Sequence, residues 1–199
     1  MGNSLSAVKC HHGVIATLLL LAAAAFGQVP GEARDAAQWR TWQSGHDTRA
    51  FEQYLRAQGA GDVAPLYQLL RSASDWQRCG AEPFAVPPEA LWPAVKRTLM
   101  LLKALQAAEV VGHFEVVSAY RDARLNHCAG GSAHSAHTRA YAVDLWLEQP
   151  APGLCDFWKA RGQPWQMGLS RYPSGRIHID TAGYRTWGED YSRASAWCR

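Results

Sequence analysis

Three short segments in the second half of the chain alternate apolar with other residues, and they constrain the fold more than any other feature. The segments are 114–121 (FEVVSAYR), 140–147 (AYAVDLWL) and 176–180 (RIHID). Alternation with a period of two is typical of β-strands, whose successive side chains face opposite sides of a sheet. We therefore expect a sheet in this part of the chain.

The first half has a different period. Apolar residues recur there at helical spacing in three groups, which are Phe51, Tyr54 and Leu55; Leu66, Leu69 and Leu70; and Leu91, Val95, Leu99, Leu102 and Leu105. This spacing predicts short helices between residues 33 and 78 and a longer helix after the loop at 79–89. A chain of 199 residues has room for one ordinary domain. We expect a single domain over 28–199, with a helical front part at 28–110 and a strand-containing part at 111–199.

The N-terminus is typical of a targeting segment. Residues 1–13 contain Lys9 and no acidic residue, and residues 14–26 form an uncharged apolar run followed by GQVPGEA. This run is shorter than the roughly 20 apolar residues that a membrane-spanning helix needs. We interpret residues 1–27 as a cleaved signal peptide, with an uncleaved anchor or a buried N-terminal helix as the alternative. The mature protein would then be exported, periplasmic or secreted, without a stable membrane span.

The cysteine count agrees with export. Of the five cysteines, Cys10 would leave with the signal peptide, and Cys79, Cys128, Cys155 and Cys198 would remain. An even number in an exported protein predicts two disulfides, and the sequence leaves all three pairings open. No two of the four stand at CxxC spacing, so a thiolate zinc site is a poor alternative.

The charge of the chain excludes one class of partner. Twenty basic and 17 acidic residues give a net charge of +3, and they are spread along the chain. A nucleic-acid-binding protein needs a clustered basic face, so we expect no nucleic-acid partner. We expect the protein to be a monomer.

Ionisable residues occupy one face of the last predicted strand. Alternation places Arg176, His178 and Asp180 together, opposite the two isoleucines of RIHID. In the segment 140–147, Asp144 likewise lies opposite the apolar residues. A zinc hydrolase needs three nitrogen or carboxylate ligands and an open fourth position, which His137, Asp144 and His178 would supply. The alternative is a His- and Ser-rich surface loop beside a buried, hydrogen-bonded Asp144.

The motifs in this region occur in a recognisable order. The segment SAYRDARLNHCAGGSAHSAHTRAYAVDL, followed by MGLSRYPSGRIHID, resembles the zinc D-alanyl-D-alanine carboxypeptidase family over roughly residues 114–182. That family also includes murein endopeptidases, D-Ala-D-Ala dipeptidases and, by fold, the hedgehog signalling domain. Its signature is SxHxxGxAxD, with an earlier arginine and a later histidine. The residues that fall on this pattern are Arg121, Ser135, His137, Ala142, Asp144 and His178.

The resemblance implies both a fold and a metal. We expect an α+β fold in which a small antiparallel sheet carries the zinc site and is packed with helices. His137, Asp144 and His178 would be the ligands of one zinc ion per chain. Arg121 would hold the oxyanion or a substrate carboxylate, with a structural salt bridge as its alternative. Ser135 would bind substrate or cap the helix that carries His137.

The sequence departs from the family pattern at two positions. Ala140 stands where the family has glycine; if the backbone there needs a positive φ, alanine costs about 1 kcal/mol. Gly175 stands where many members have a catalytic glutamate. Asp180, in a His-x-Asp arrangement, would be the general base, or a carboxylate that orients a ligand or pairs with Arg176. We also expect Arg176 to contribute to substrate binding.

Three functions remain open at this point. The favoured one is a zinc peptidase that acts on D-amino-acid-containing stem peptides of peptidoglycan, as a carboxypeptidase or an endopeptidase. The second is a zinc-bearing or zinc-free binding domain of the cell envelope that keeps the fold and has lost the chemistry, which Gly175 favours. The third is a disulfide-stapled structural or partner-binding domain without metal.

Overall fold

A computed structural model describes residues 1–2 and 32–199, so the predicted signal peptide at 1–27 lies almost entirely outside the described residues. Residues Ala33–Arg199 form one compact unit. Within the described part of the chain, no helix is long and apolar enough to cross a membrane.

The front part is helical, as its apolar spacing predicts. The helices of the whole chain are α1 (Glu32–Ser44), α2 (Arg49–Ala57), α3 (Leu66–Leu69), α4 (Trp92–Ala107), α5 (Ala123–Cys128) and α6 (Leu154–Trp165). Short 3₁₀ turns occur at Glu89–Leu91 and Ala136–Arg139. Helix α4 begins after the Pro87-Pro88 pair and has a third proline in its first turn, where the missing N–H costs nothing.

Five strands form one mixed sheet. They are β1 (Phe114–Ser118), β2 (Ala142–Leu147), β3 (Gly168–Arg171), β4 (Ile177–Asp180) and β5 (Arg185–Trp187), in the spatial order β1-β2-β4-β3-β5. The three predicted strands are β1, β2 and β4. All pairs are antiparallel except β3 with β5, which run parallel. The α+β class is therefore confirmed, with a sheet that is mostly rather than wholly antiparallel.

One apolar core joins the helical and strand-containing parts. Leu99, Leu102 and Leu105 of α4 are fully buried, and they belong to the same cluster as Leu145 of β2 and Ile179 of β4. This arrangement leaves the opposite faces of β2 and β4 to Asp144 and His178, because side chains alternate along a strand.

The outer edge of β1 is covered by the front part. The backbone N–H of Val116 donates to the Gln68 side chain (3.0 Å), and the Arg71 guanidinium donates to the Val116 carbonyl (2.6 Å). Arg71 also accepts a hydrogen bond at its carbonyl from the Ala119 N–H (2.8 Å) and pairs with the buried Glu115 carboxylate. These contacts satisfy an edge strand and fix the peptide of Ala119, which follows it.

Both predicted disulfides are present. Cys79 pairs with Cys128, and Cys155 pairs with Cys198. The first ties the loop after α3 to α5, and the second ties α6 to the C-terminal segment.

Candidate metal centre

Two histidines and an aspartate converge from three elements of the fold. His137 lies in the 3₁₀ turn at Ala136–Arg139, Asp144 in β2 and His178 in β4, and all three are buried. Asp144 and His178 are direct partners across the β2–β4 pair. The His137 Nε2 atom lies 3.3 Å from both Asp144 Oδ1 and His178 Nδ1, and the last two atoms are 3.0 Å apart.

The donor set and its spacing fit zinc. Tetrahedral zinc with ligand distances of about 2.0–2.1 Å requires ligand atoms roughly 3.3 Å from one another. The three observed separations are close to that value. Two imidazoles and one carboxylate are also a donor combination that catalytic zinc sites use, with a fourth position left for solvent or substrate. The residues could therefore hold a zinc ion.

The His137 ring is oriented by a backbone carbonyl. Its Nδ1 lies 2.7 Å from the Ala119 carbonyl oxygen and donates to it, which leaves the Nε2 lone pair directed at Asp144 and His178. Burial lowers the pKa of His137 against the opposing effect of the Asp144 carboxylate. His137 is therefore a neutral imidazole at neutral pH, the form that binds a metal.

Without a metal, His178 is flanked by two carboxylates. Its Nδ1 lies 3.0 Å from Asp144 Oδ1, and its Nε2 lies 2.9 Å from Asp180 Oδ2. Burial acts to lower the pKa of His178, but the hydrogen bonds and charges of the two carboxylates outweigh it and raise the pKa to about 9. Burial opposes ionisation of Asp144, yet the two histidines hold the pKa of its carboxyl well below the usual range.

Asp180 contacts His178 on the side away from the ligand atoms. Its fully buried carboxylate accepts hydrogen bonds from His178 Nε2, from the Ala182 N–H (2.8 Å) and from both terminal nitrogens of Arg185 (3.0 and 2.7 Å). These donors occupy both oxygens. Gly168, the cross-strand partner of Asp180, has no room for a side chain, because a Cβ there would collide with the carboxylate.

A cavity of about 600 Å³ opens onto two of the three ligand candidates, His137 and His178. The described residues that line it are Arg121, Gly131, Ser132, His134, Ser135, Ala136, His137, Trp158, Tyr172, His178, Tyr184, Arg185, Thr186, Trp187, Tyr191 and Arg193. Three arginines and three histidines are among them, and no aspartate or glutamate. The cavity therefore favours anionic ligands.

Two of the three residues expected to contact substrate line this cavity. Arg121 donates to the Asn126 side chain (3.1 Å) and to Ser118 Oγ (3.3 Å), so no acid neutralises its charge within the described residues. Ser135 also lines the cavity, and its Oγ accepts from the His137 N–H (3.3 Å), which caps the 3₁₀ turn. The structure does not bring Arg176 to the cavity, because its guanidinium donates to Ser74 Oγ at 2.7 Å.

Both departures from the family pattern fall at positions with a left-handed backbone, which explains Gly175 but not Ala140. Ala140 is left-handed, with φ 56° and ψ 23°, where a glycine would be unstrained. Gly175 has φ 86° in the turn between β3 and β4, and its N–H donates to the Tyr172 carbonyl. A glutamate at this position would be strained, so the turn itself disfavours the catalytic glutamate of other members.

Three further residues contribute to the centre that no sequence motif indicates. Tyr172 follows β3, and its hydroxyl lies 3.5 Å from His178 Nδ1. Burial raises the pKa of Tyr172, and the Asp144 carboxylate adds to the rise, so the hydroxyl stays protonated at neutral pH. Trp187 packs edge-on against the His178 ring at 5.1 Å, and Arg185 pairs with Asp180. Strands β3 and β5 position these side chains, and both strands are too short to show a recognisable alternation in the sequence.

A family comparison identifies this arrangement. The model of the peptidase M15 family matches residues 69–180, which include every ligand candidate and Asp180. The chain belongs to the peptidase M15 family. The resemblance inferred from the sequence motifs is thereby confirmed. No curated protein and no solved structure matches the chain.

Membership sets the general chemistry of the M15 protein. The family consists of zinc-dependent peptidases, and its action is on peptidoglycan. The protein is thus a metallopeptidase by family, and the cluster of His137, Asp144 and His178 could bind its metal. The family match ends at residue 180, so the cavity residues from Tyr184 to Arg193 lie beyond it.

Proposed function

We propose that the protein is a zinc peptidase that hydrolyses D-amino-acid-containing peptide bonds in the stem peptides of peptidoglycan, as a carboxypeptidase or an endopeptidase. The observation that carries this proposal is the buried trio of His137, Asp144 and His178, whose two histidines line a cavity of about 600 Å³. A site with three protein ligands beside an open cavity is typical of catalytic rather than structural zinc.

In this proposal the three side chains hold one zinc ion per chain. When bound, zinc supplies a nucleophile near neutral pH and polarises the peptide carbonyl. The chain's own residues orient the ligands: the Ala119 carbonyl holds His137, and Asp180 holds His178. Such outer contacts fix the ring orientation of metal-binding histidines.

Arg121 and Tyr172 are the proposed donors to the substrate. The Arg121 guanidinium lines the cavity without an acidic partner in the described residues, so it is available to the substrate carbonyl oxygen or to a carboxylate. The Tyr172 hydroxyl lies beside His178 and would donate to the carbonyl oxygen as negative charge develops there. Ser135 is proposed to contact substrate from the turn that it caps.

For Asp180 we propose the orienting role rather than that of general base. Its carboxylate is fully buried, and His178, Ala182 and Arg185 occupy both of its oxygens. A general base must reach the proton that it removes. The contacts of Asp180 with the ring of His178 and with Arg185 support positioning of the ligand instead.

The protein is further proposed to act outside the cytoplasm, in the periplasm or after secretion. The two disulfides support this, because disulfides persist in oxidising compartments. The apolar run at 14–26 supports it from the sequence.

A second candidate function is a binding domain that retains the metal but does not hydrolyse peptides. Gly175 favours this candidate, since the position lacks the glutamate of other members. The cavity lining described above also contains no aspartate or glutamate that could act as base. Both candidates predict that zinc binds.

The test combines metal content with cleavage. The mature oxidised protein is purified, its zinc per chain is measured, and it is incubated with muropeptides whose products are identified by mass spectrometry. We expect about one zinc per chain, lost in His137→Ala, and release of a D-amino acid or separation of a cross-link. Zinc without cleavage would establish the binding domain, and absence of zinc would exclude both candidates.

A further inference from the structure

One side of the cavity is built by residues beyond the matched family region. We call this side the C-terminal wall; it consists of Tyr184, Arg185, Thr186, Trp187, Tyr191 and Arg193. Strand β5 attaches the wall to the sheet through its pairing with β3. The disulfide between Cys155 and Cys198 attaches its far end to α6. The wall is therefore held in place at both of its ends.

The wall carries a cation that nothing in the described residues neutralises. Arg185 is paired with Asp180 and is committed to the metal centre. Arg193 is exposed and lines the cavity, and its guanidinium makes no hydrogen bond or ion pair with any described residue. Arg121 also lines the cavity, and the described lining contains no acid that could neutralise either arginine. Such a surface attracts a ligand with a free carboxylate.

The same wall offers aromatic surface beside that charge. Tyr184 stacks on the buried Trp158 with ring centroids 4.6 Å apart. This contact holds the Tyr184 ring in place and covers one of its two faces. Tyr191 is 67% exposed, an unusual exposure for a large side chain that lines a cavity. Aromatic faces of this kind pack against the apolar parts and peptide planes of a bound chain.

We propose that the C-terminal wall is a substrate subsite that binds a peptide through a free carboxylate away from the scissile bond, with Arg193 as the carboxylate-binding residue and Tyr184 and Tyr191 as the surface beneath the peptide. This proposal rests on the proposed function, since it places the recognised carboxylate on the same bound peptide. Arg121 contacts the substrate next to the scissile bond, and Arg193 binds a carboxylate elsewhere on the same peptide.

The test compares a peptide with its amide. The probes are a synthetic stem pentapeptide with free carboxylates and the same peptide with those carboxylates amidated. Binding to the zinc-loaded full chain is measured by calorimetry, and cleavage is followed separately by mass spectrometry. The variants are Arg193→Gln, Arg193→Lys and, as a matched control, Arg161→Gln, an exposed arginine of α6 that does not line the cavity.

We expect Arg193→Gln to weaken binding of the free peptide about fivefold and to leave binding of the amidated peptide unchanged, because only the free peptide offers an ion pair. Arg193→Lys should retain part of the affinity, and Arg161→Gln all of it. Equal affinity of wild type and Arg193→Gln for the free peptide, or equal losses on both peptides, would overturn the subsite.

The two proposals fail in different ways. Cleavage by the wild type without dependence of binding on Arg193 would leave the peptidase and exclude the subsite. Binding that depends on Arg193, without cleavage, would leave the subsite and exclude the peptidase. Neither binding nor cleavage would exclude both.

Discussion

Asp180 contacts the ring of His178 at the nitrogen opposite the ligand atom, and Arg185 holds the carboxylate in place from its other side. A carboxylate that accepts from the second ring nitrogen fixes the orientation of metal-binding histidines in other metal sites. The contact raises the basicity of the ring without placing Asp180 in the cavity.

Asp180→Asn separates the orienting role from that of a base. We expect zinc affinity to fall about 10–100-fold, since the ring of His178 loses its charged partner. At saturating zinc, kcat should change little. The measurement is a competition titration with a zinc chelator, followed by a rate assay at full occupancy. Asp156→Asn, an exposed residue of α6, is the control. Retained zinc affinity with a collapsed kcat would make Asp180 the general base.

Tyr172→Phe tests the proposed donor beside His178. Removal of the hydroxyl leaves the ring packed and deletes only the hydrogen bond. Loss of one donor to a developing oxyanion costs about 10²–10³-fold in kcat, and we expect a loss at the lower end of that range, with little change in KM. Zinc content is measured in parallel and should be unchanged. A variant with full kcat would exclude Tyr172 from the reaction.

Zinc binding should release a proton from His178. The metal-free ring has a pKa of about 9 and is therefore protonated below that pH, whereas a ligand nitrogen must be unprotonated. His137 has a lowered pKa and Asp144 is ionised, so neither adds a proton near neutrality. At about pH 6 we expect about one proton released per zinc, and an apparent affinity that rises with pH towards 9.

The proton count is obtained from the heat of zinc binding in buffers of different ionisation enthalpy. Working near pH 6 avoids a contribution from zinc-bound water, whose pKa is about 7. Heats that do not depend on the buffer would show that His178 is already neutral in the metal-free protein.

At the scale of elements, the end of α6 shows how the chain reaches the β3 strand. Gln166 closes the helix in the left-handed conformation, with φ 54°, and the Met167 N–H donates to the Gly162 carbonyl (3.0 Å). This is the pairing of a Schellman motif, where glycine is the usual residue. Gln166 is exposed, so its strain is not offset by burial.

Gln166→Gly should therefore stabilise the fold. We expect a gain of about 0.5–1 kcal/mol, because relief of the left-handed strain exceeds the added freedom of the unfolded chain. The measurement is the free energy of unfolding in denaturant. Gln163→Gly, three residues earlier inside the same helix, should instead destabilise by a similar amount. Destabilisation by both variants would show that Gln166 is not strained.

The sequence predicts the elements that have a clear period and misses those that lack one. Strand β4 alternates over its whole length, and α4 repeats its apolar residues over four turns, so both are recognisable. Strands β3 and β5 have four and three residues, and their pairing is set by tertiary contacts rather than by local pattern. Asp144 and His178 could be predicted because they lie on strands with a clear alternation, and His137 because it falls on a known signature. Tyr172 and Arg185 follow or begin the missed strands, so no pattern indicated them.

At the scale of the whole molecule, the helical front part supports the metal centre. The carbonyl of Arg71 fixes the N–H of Ala119, and the carbonyl of Ala119 orients His137. Thr98 of α4 donates to the Tyr141 carbonyl (2.8 Å) just before β2. The front part, to which no motif assigns a role, thus holds the backbone before His137 and again between His137 and Asp144.

The two disulfides brace different sides of the cavity. Cys128 ends α5, whose Asn126 contacts Arg121 and the Ser132 carbonyl (2.8 Å). Cys198 follows the C-terminal wall. Their sequence separations of 49 and 43 residues are nearly equal, so chain entropy predicts nearly equal stabilisation, about 2–4 kcal/mol each. Any difference in catalysis between variants that lack one disulfide or the other must then come from local changes around the lost disulfide.

The paired variants Cys79→Ala/Cys128→Ala and Cys155→Ala/Cys198→Ala test this division. Both should lower the free energy of unfolding by about 2–4 kcal/mol. Loss of the second disulfide should raise KM, because the proposed subsite lies on the wall. Zinc affinity and kcat should stay close to wild type, because the pairing of β5 with β3 still holds Arg185 beside Asp180. Loss of the first should lower kcat, because α5 positions Arg121, the proposed donor to the substrate. The assays are run at a temperature where both variants remain folded. Equal changes in KM and kcat for the two variants would mean that the disulfides act only on global stability.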